Sequence, residues 1–128
     1  MNALLKAKSA YTAANASTKT TTDYEYDIVA RATQNLLAAH KTASAKKGAE
    51  GFAVLAEALH KNRKMWTIFE VDLAAKENQL PQDVKENLFY LAEFTRQHTS
   101  KVLSRKANVR ALIEVNMAVL RGLRSGAT

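Results

Sequence analysis

The chain has 128 residues, 47% of them hydrophobic, with four glycines and one proline, a length that suits one domain with a core of its own. So few turn formers, beside abundant Ala, Leu, Lys and Glu, point to an all-α protein and away from sandwiches and barrels. With no cysteine, disulfides, zinc thiolates and thiol nucleophiles are excluded. The formal net charge of +7 is unevenly spread: residues 1–22 carry +3, 23–65 carry +2, 66–95 carry −4 and 96–128 carry +6. That last third, with Arg96, Lys101, Arg105, Lys106, Arg110, Arg121 and Arg124, has the charge to meet phosphates or an acidic protein face, but no aromatic residue to stack on bases. The N-terminus lacks the apolar run of a secretion signal and no stretch is long enough to span a membrane, so no membrane partner is expected.

Five helices are expected. The first, over 2–14, places Leu4, Ala7 and Tyr11 along one side and is short enough to be marginal alone. A Ser/Thr-rich run over 17–22 follows as a flexible linker. Thr22 and Glu25 have the spacing of a capping box, which starts a second helix running to about residue 43 and burying Tyr24, Ile28, Ala32, Leu36 and Ala39. Residues 44–51, with Gly48 and Gly51, read as a loop. A third helix over 52–75 gathers Leu55, Ala58, Leu59, Asn62, Met65, Trp66, Phe69 and Leu73 on one face and sends His60, Lys61, Arg63 and Lys64 to the other.

Pro81 suits the first turn of a fourth helix, and Asp83 and Glu86 complement its N-terminal dipole. Its apolar face is Val84, Leu88, Leu91, Ala92, Phe94, Thr95, His98 and Val102. Phe89 and Tyr90 fall off that stripe, so either the helix is covered on several sides or the two rings form a contact surface. Asn108 can cap a fifth helix whose stripe is Val109, Leu112, Ile113, Asn116, Met117, Leu120 and Leu123, with Gly122 and Gly126 at its end. The expected architecture is a small bundle of about five helices: an N-terminal helix and linker over 1–21, an antiparallel core of helices two to five over 22–124, and a disordered tail over 125–128.

Polar side chains sit inside the apolar stripes of the last three helices: Asn62, Thr95 with His98, and Asn116. A buried polar group costs free energy unless it is satisfied, so these residues imply either a layer that fixes the register of the bundle or polar anchors in a groove for a partner. Catalysis has little support. His40, His60 and His98 lie on different expected helices, no HExxH, phosphate loop or nucleophile elbow occurs, and the spacing does not mark Glu93 and His98 as an acid–base pair. No catalytic residue, metal site or cofactor is expected, and the chain does not read as an enzyme.

Three blocks, EALHKNRKMWTIFEVDL (57–73), LFYLAEFTRQHTSKVL (88–103) and LIEVNMAVLRGL (112–123), resemble the flagellar FlaF family of alphaproteobacteria. The opening MNALLKAKSAYTAA and the loop NQLP (78–81) are also similar, so the resemblance spans nearly the whole chain. It implies a cytoplasmic regulator of flagellin synthesis and export, acting as a flagellin-specific secretion chaperone, with a functional link to FlbT, the regulator of flagellin translation. It implies no catalytic residue or cofactor. The positions that carry over are Asn62, Arg63, Trp66, Phe89, Tyr90, Glu93, Phe94, Arg96, His98, Asn116 and Arg121. Of these Trp66, Phe89, Tyr90, Phe94, Arg96, Arg63 and Arg121 are candidates for contact with a partner.

A flagellin terminus that is disordered before assembly would expose an apolar stripe, which a groove between helices can cover. The first helix, behind its linker, is then a candidate to fill that groove when no client is bound. The alternative reading is a post-transcriptional regulator that acts on flagellin messenger RNA through the basic C-terminal third, or acts through FlbT alone. The oligomeric state is not legible from the residues.

Overall fold

The computed structural model describes residues 21–126, with side-chain surroundings from 25 to 123. The expected first helix, most of the linker and the side chains of Thr22 and Tyr24 lie outside the described residues. Those residues form four helices and no strand: α1 Thr21–Ala45, α2 Ala49–Ala74, α3 Gln82–Leu103 and α4 Arg110–Gly126. Helix α4 runs past Gly122 to Gly126, beyond the boundary expected for the bundle.

Helix α1 lies against α2 and α4, α3 lies against α2 and more lightly against α4, and α1 makes no close backbone approach to α3. Helices α2 and α4 are likewise diagonal partners rather than neighbours. The last three helices are not mutual neighbours: α1 stands between α2 and α4, and both cover its apolar face.

The core has two parts. One joins Leu36, Ala39, Ala58, Leu59, Val102, Val109, Leu112 and Ile113. The other joins Val29, Met65, Trp66 and Ala92, with Phe69, Leu88, Leu91, Val115, Val119 and Leu120 packed around them. Each fully buried leucine stabilises the fold by about 1.5–3 kcal/mol. The α2 stripe is as expected. In α1 the buried line is Val29, Thr33, Leu36 and Ala39, while Ile28 and Ala32 are half-buried. In α4 the face centres on Leu112 and Asn116, which leaves Met117 45% exposed and draws Val115 and Val119 inward. Two of the buried threonines satisfy themselves locally: Thr33 and Thr99 each donate to the carbonyl four residues back, at 2.7 and 2.6 Å.

The connections explain themselves residue by residue. Residues 44–51 are not all loop: α2 starts at Ala49 and includes Gly51, so the turn shrinks to 46–48. Gly51 permits this, since a Cβ there would stand 1.7 Å from the Lys46 carbonyl oxygen. Gly48, at φ 99°, supplies the left-handed backbone that reverses the chain. Between α2 and α3 the organiser is Asn78, which is buried. Its Nδ2 donates to the Asp72 carbonyl (3.2 Å), its Oδ1 accepts from the Leu80 amide (3.0 Å), and its own carbonyl accepts from Lys85 Nζ (2.8 Å). Pro81 stands just before α3, and Asp83 Oδ1 accepts from the Val84 amide.

Helix α3 ends in a Schellman motif: the Lys106 amide bonds the Lys101 carbonyl and the Arg105 amide bonds the Val102 carbonyl. Arg105 holds the left-handed position, φ 60°, that glycine usually fills. Asn108 caps α4 as expected, its Oδ1 accepting from the Arg110 amide at 2.9 Å.

Candidate functional site

The polar residues of the core resolve into a short directed chain. Trp66 Nε1 donates to Asn116 Oδ1 at 3.0 Å, and Asn116 Nδ2 donates to Asn62 Oδ1 at 2.8 Å. An indole N–H can only donate, so it fixes the orientation of both amides. All three side chains are at most 2% exposed, and the bonds bridge the diagonal between α2 and α4, where no backbone approaches closely. Asn116 thus ties α4 to two side chains of α2 at once.

The remaining expected members of the layer stand apart. The Thr95 hydroxyl is buried but has no hydrogen-bond partner among the described residues, and neither has Asn62 Nδ2. His98 is half-buried, stacks on Phe94 with ring centroids 5.2 Å apart, and turns its Nε2 to the Asn108 carbonyl at 2.8 Å. Because that carbonyl only accepts, Nε2 carries the proton. His98 therefore belongs to the α3–α4 connection rather than to a shared polar layer.

The partner-contact candidates divide in the same way. Trp66 is sealed in the core, edge-on to Phe69 at 5.9 Å. Phe94 is half-buried under His98. Arg96 makes a two-pronged bond to Glu70 (2.8 and 3.0 Å), tying α3 to α2, and also bonds Glu93 on its own helix. These bonds hold the carboxyl groups of Glu70 and Glu93 below the usual range; the Arg96 hydrogen bond is the largest cause in each case. Glu93 accepts from Gln97 as well, so Glu93 and His98 do not form an acid–base pair. Arg63 is half-buried and Arg121 exposed. Phe89 is half-buried, while Tyr90 is 70% exposed. Covering of Tyr90 by α1 is not found, since α1 and α3 make no close backbone approach; covering by the N-terminal segment concerns residues outside those described.

On the outer face of α3, Tyr90 stands among Asp83, Glu86, Asn87, Glu93 and Gln97, all exposed and spaced by three, four or seven residues. It is the most exposed large apolar side chain among the described residues. Elsewhere Val71, Leu80, Leu37, Val54, Ile68 and Val84 are 37–55% exposed. Among the described residues no group of three or more His, Cys, Asp or Glu could hold a metal ion, and no helix is long and apolar enough to cross a membrane.

Sequence reasoning missed Thr99, Asn78 and Asp72 as buried residues. Thr99 had a usable signal, since it lies four residues from Thr95 and three from Val102 on one helical face. Asn78 had none in periodicity, although it opens the NQLP loop. A family model described as Flagellar protein FlaF matches residues 7–123 of the chain. No curated protein and no solved structure was found to match.

Proposed function

Because the chain belongs to the FlaF family of flagellar proteins, we propose that it regulates flagellin synthesis and export in the cytoplasm as a flagellin-binding secretion chaperone, covering an amphipathic flagellin segment. The observation that carries this reading is Tyr90, an aromatic ring 70% exposed in the middle of α3. Tyrosine presents a large, stiff apolar surface at little entropic cost, a common anchor at protein interfaces. Its carboxylate-bearing surroundings favour a client helix with Lys or Arg beside its apolar stripe. The interior polar chain supports the same placement: Asn116 has both amide ends engaged in the core, so the client surface is the outer face of α3, with Tyr90 at its centre and Phe89 at its edge.

The action proposed is binding without catalysis or cofactor. Tyr90→Ala should weaken binding of purified flagellin about tenfold or more while leaving thermal unfolding unchanged, since a truncated aromatic hot spot costs about 2 kcal/mol of affinity. Unchanged affinity, measured by calorimetry, would remove the outer face of α3 from the proposal. The competing reading, control of flagellin messenger RNA directly or through FlbT, predicts that binding survives Tyr90→Ala and falls steeply with salt. The expectation that residues 1–14 cover the client surface concerns a segment outside the described residues. If they compete with flagellin, deleting residues 1–16 tightens flagellin binding, and unchanged or weaker affinity rejects that role.

A further inference from the structure

The loops over 46–48 and 104–109 meet at one end of the bundle. The Arg105 guanidinium lies 4.3 Å above the centre of the Phe52 ring, in the first turn of α2, and the Lys46 carbonyl packs over Gly51. This contact brings together the loops that carry Lys46, Lys47, Arg105 and Lys106, with Lys101 in the last turn of α3 and Arg110 at the start of α4. All six are exposed and none forms an ion pair among the described residues. On the two loops and the first turn of the helix after each, Glu50 is the only carboxylate.

Arg105 adds an independent observation. Its left-handed backbone would be relieved by glycine, the residue that normally closes a Schellman motif. The chain instead keeps a cation there, and an observed strained position motivates a search for function.

The shape of this end selects the kind of anion. Among the described residues no helix projects from it to enter a nucleic-acid groove, Phe52 is covered by Arg105, and His98 is stacked on Phe94, so neither ring is free to stack on a base. Six long basic side chains on the end of a bundle suit a flat surface of negative charge. We propose that this end docks the protein on an anionic phospholipid bilayer. Such attachment needs no membrane span; it draws on the surface potential, which acts within about a Debye length. The absence of a spanning segment, from which the sequence analysis expected no membrane partner, does not bear on it. The proposal is independent of flagellin binding through Tyr90, and either can fail alone.

The test is sedimentation of the full chain with phosphatidylcholine vesicles, with and without phosphatidylglycerol, at low and high salt. Binding is expected only with phosphatidylglycerol and should be lost at high salt. The triple neutralisation Lys46→Gln, Lys47→Gln and Lys106→Gln should weaken it on the order of a hundredfold, given roughly fivefold per basic residue. Arg105→Gly should weaken it about fivefold without lowering thermal stability, which separates lost charge from lost fold. Reversing Lys61 and Lys64, on the side of α2, should leave it unchanged. No phosphatidylglycerol-dependent binding, or an equal loss in the Lys61 and Lys64 control, overturns the proposal. So does binding of an RNA homopolymer that depends on the same three lysines when no vesicle binding is seen, which would assign this end to nucleic acid.

Discussion

Asn116 holds two partners and Asn62 holds one, and that difference has a measurable consequence. Asn116→Leu leaves both the indole N–H of Trp66 and the carbonyl oxygen of Asn62 buried without a partner, whereas Asn62→Leu leaves only one N–H of Asn116 in that state. Each stranded group costs about 1–3 kcal/mol. Thermal denaturation should therefore rank Asn116→Leu as clearly more destabilising than Asn62→Leu; equal melting temperatures would mean the directed chain does not organise the core. Thr95 predicts the opposite sign. Its buried hydroxyl lacks a partner, so Thr95→Val should raise stability by about 1 kcal/mol, while Thr99→Val, which deletes a bond to the Thr95 carbonyl, should not. A loss of stability in Thr95→Val would show that the hydroxyl does find a partner.

Helices α2 and α3 are joined by the packing of their apolar faces and by the polar tie of Glu70 to Arg96. Because both side chains are partly exposed, the tie is worth no more than about 1 kcal/mol. A carboxylate whose folded pKa lies below its unfolded value adds stability above the unfolded value and loses it as pH falls through the folded one. Glu70 has such a lowered pKa, from the Arg96 hydrogen bond first. The melting temperatures of the wild type and Glu70→Gln should thus differ near neutral pH and converge below the usual carboxylate range; a gap that persists in acid would refute the assignment. The tight join of α1 to α2 rests on Gly51. Gly51→Ala forces a methyl group into the Lys46 carbonyl and should destabilise by about 1–3 kcal/mol, readable in urea unfolding midpoints.

At the scale of the whole molecule, the arrangement of four helices produces two surfaces with different chemistry. The outer face of α3 carries Tyr90 among carboxylates, and the end formed by the two loops carries six unpaired cations. Charge swaps at Lys46, Lys47 and Lys106 should leave flagellin binding through Tyr90 unchanged, since none of the three lies on α3; a loss of flagellin binding in calorimetry would show that the two surfaces are coupled.

Helix number and position within 22–126 were legible in sequence because 3.6-residue periodicity and local signals such as Asn108 and Pro81 act within a few residues. The inward face of α2 was equally legible, from Leu55 to Leu73, because that helix buries one wide stripe. Local signals do not report rotation or adjacency. Val29 and Thr33 rather than Ile28 and Ala32 form the buried line of α1, Val119 is packed while Met117 is exposed, and α1 stands between α2 and α4, because each helix turns to meet partners far away in the chain. Asn62 and Asn116 were recognisable as buried polar groups. Their joint dependence on Trp66, the departure of His98 to the Asn108 carbonyl, and the meeting of Phe52 with Arg105 are contacts across 10 to 54 residues of chain. Sequence alone determined the family, the helices and most of the core; tertiary structure decided which polar groups are spent in the interior and which charges and rings remain to meet a partner, since burial and pairing depend on what packs alongside.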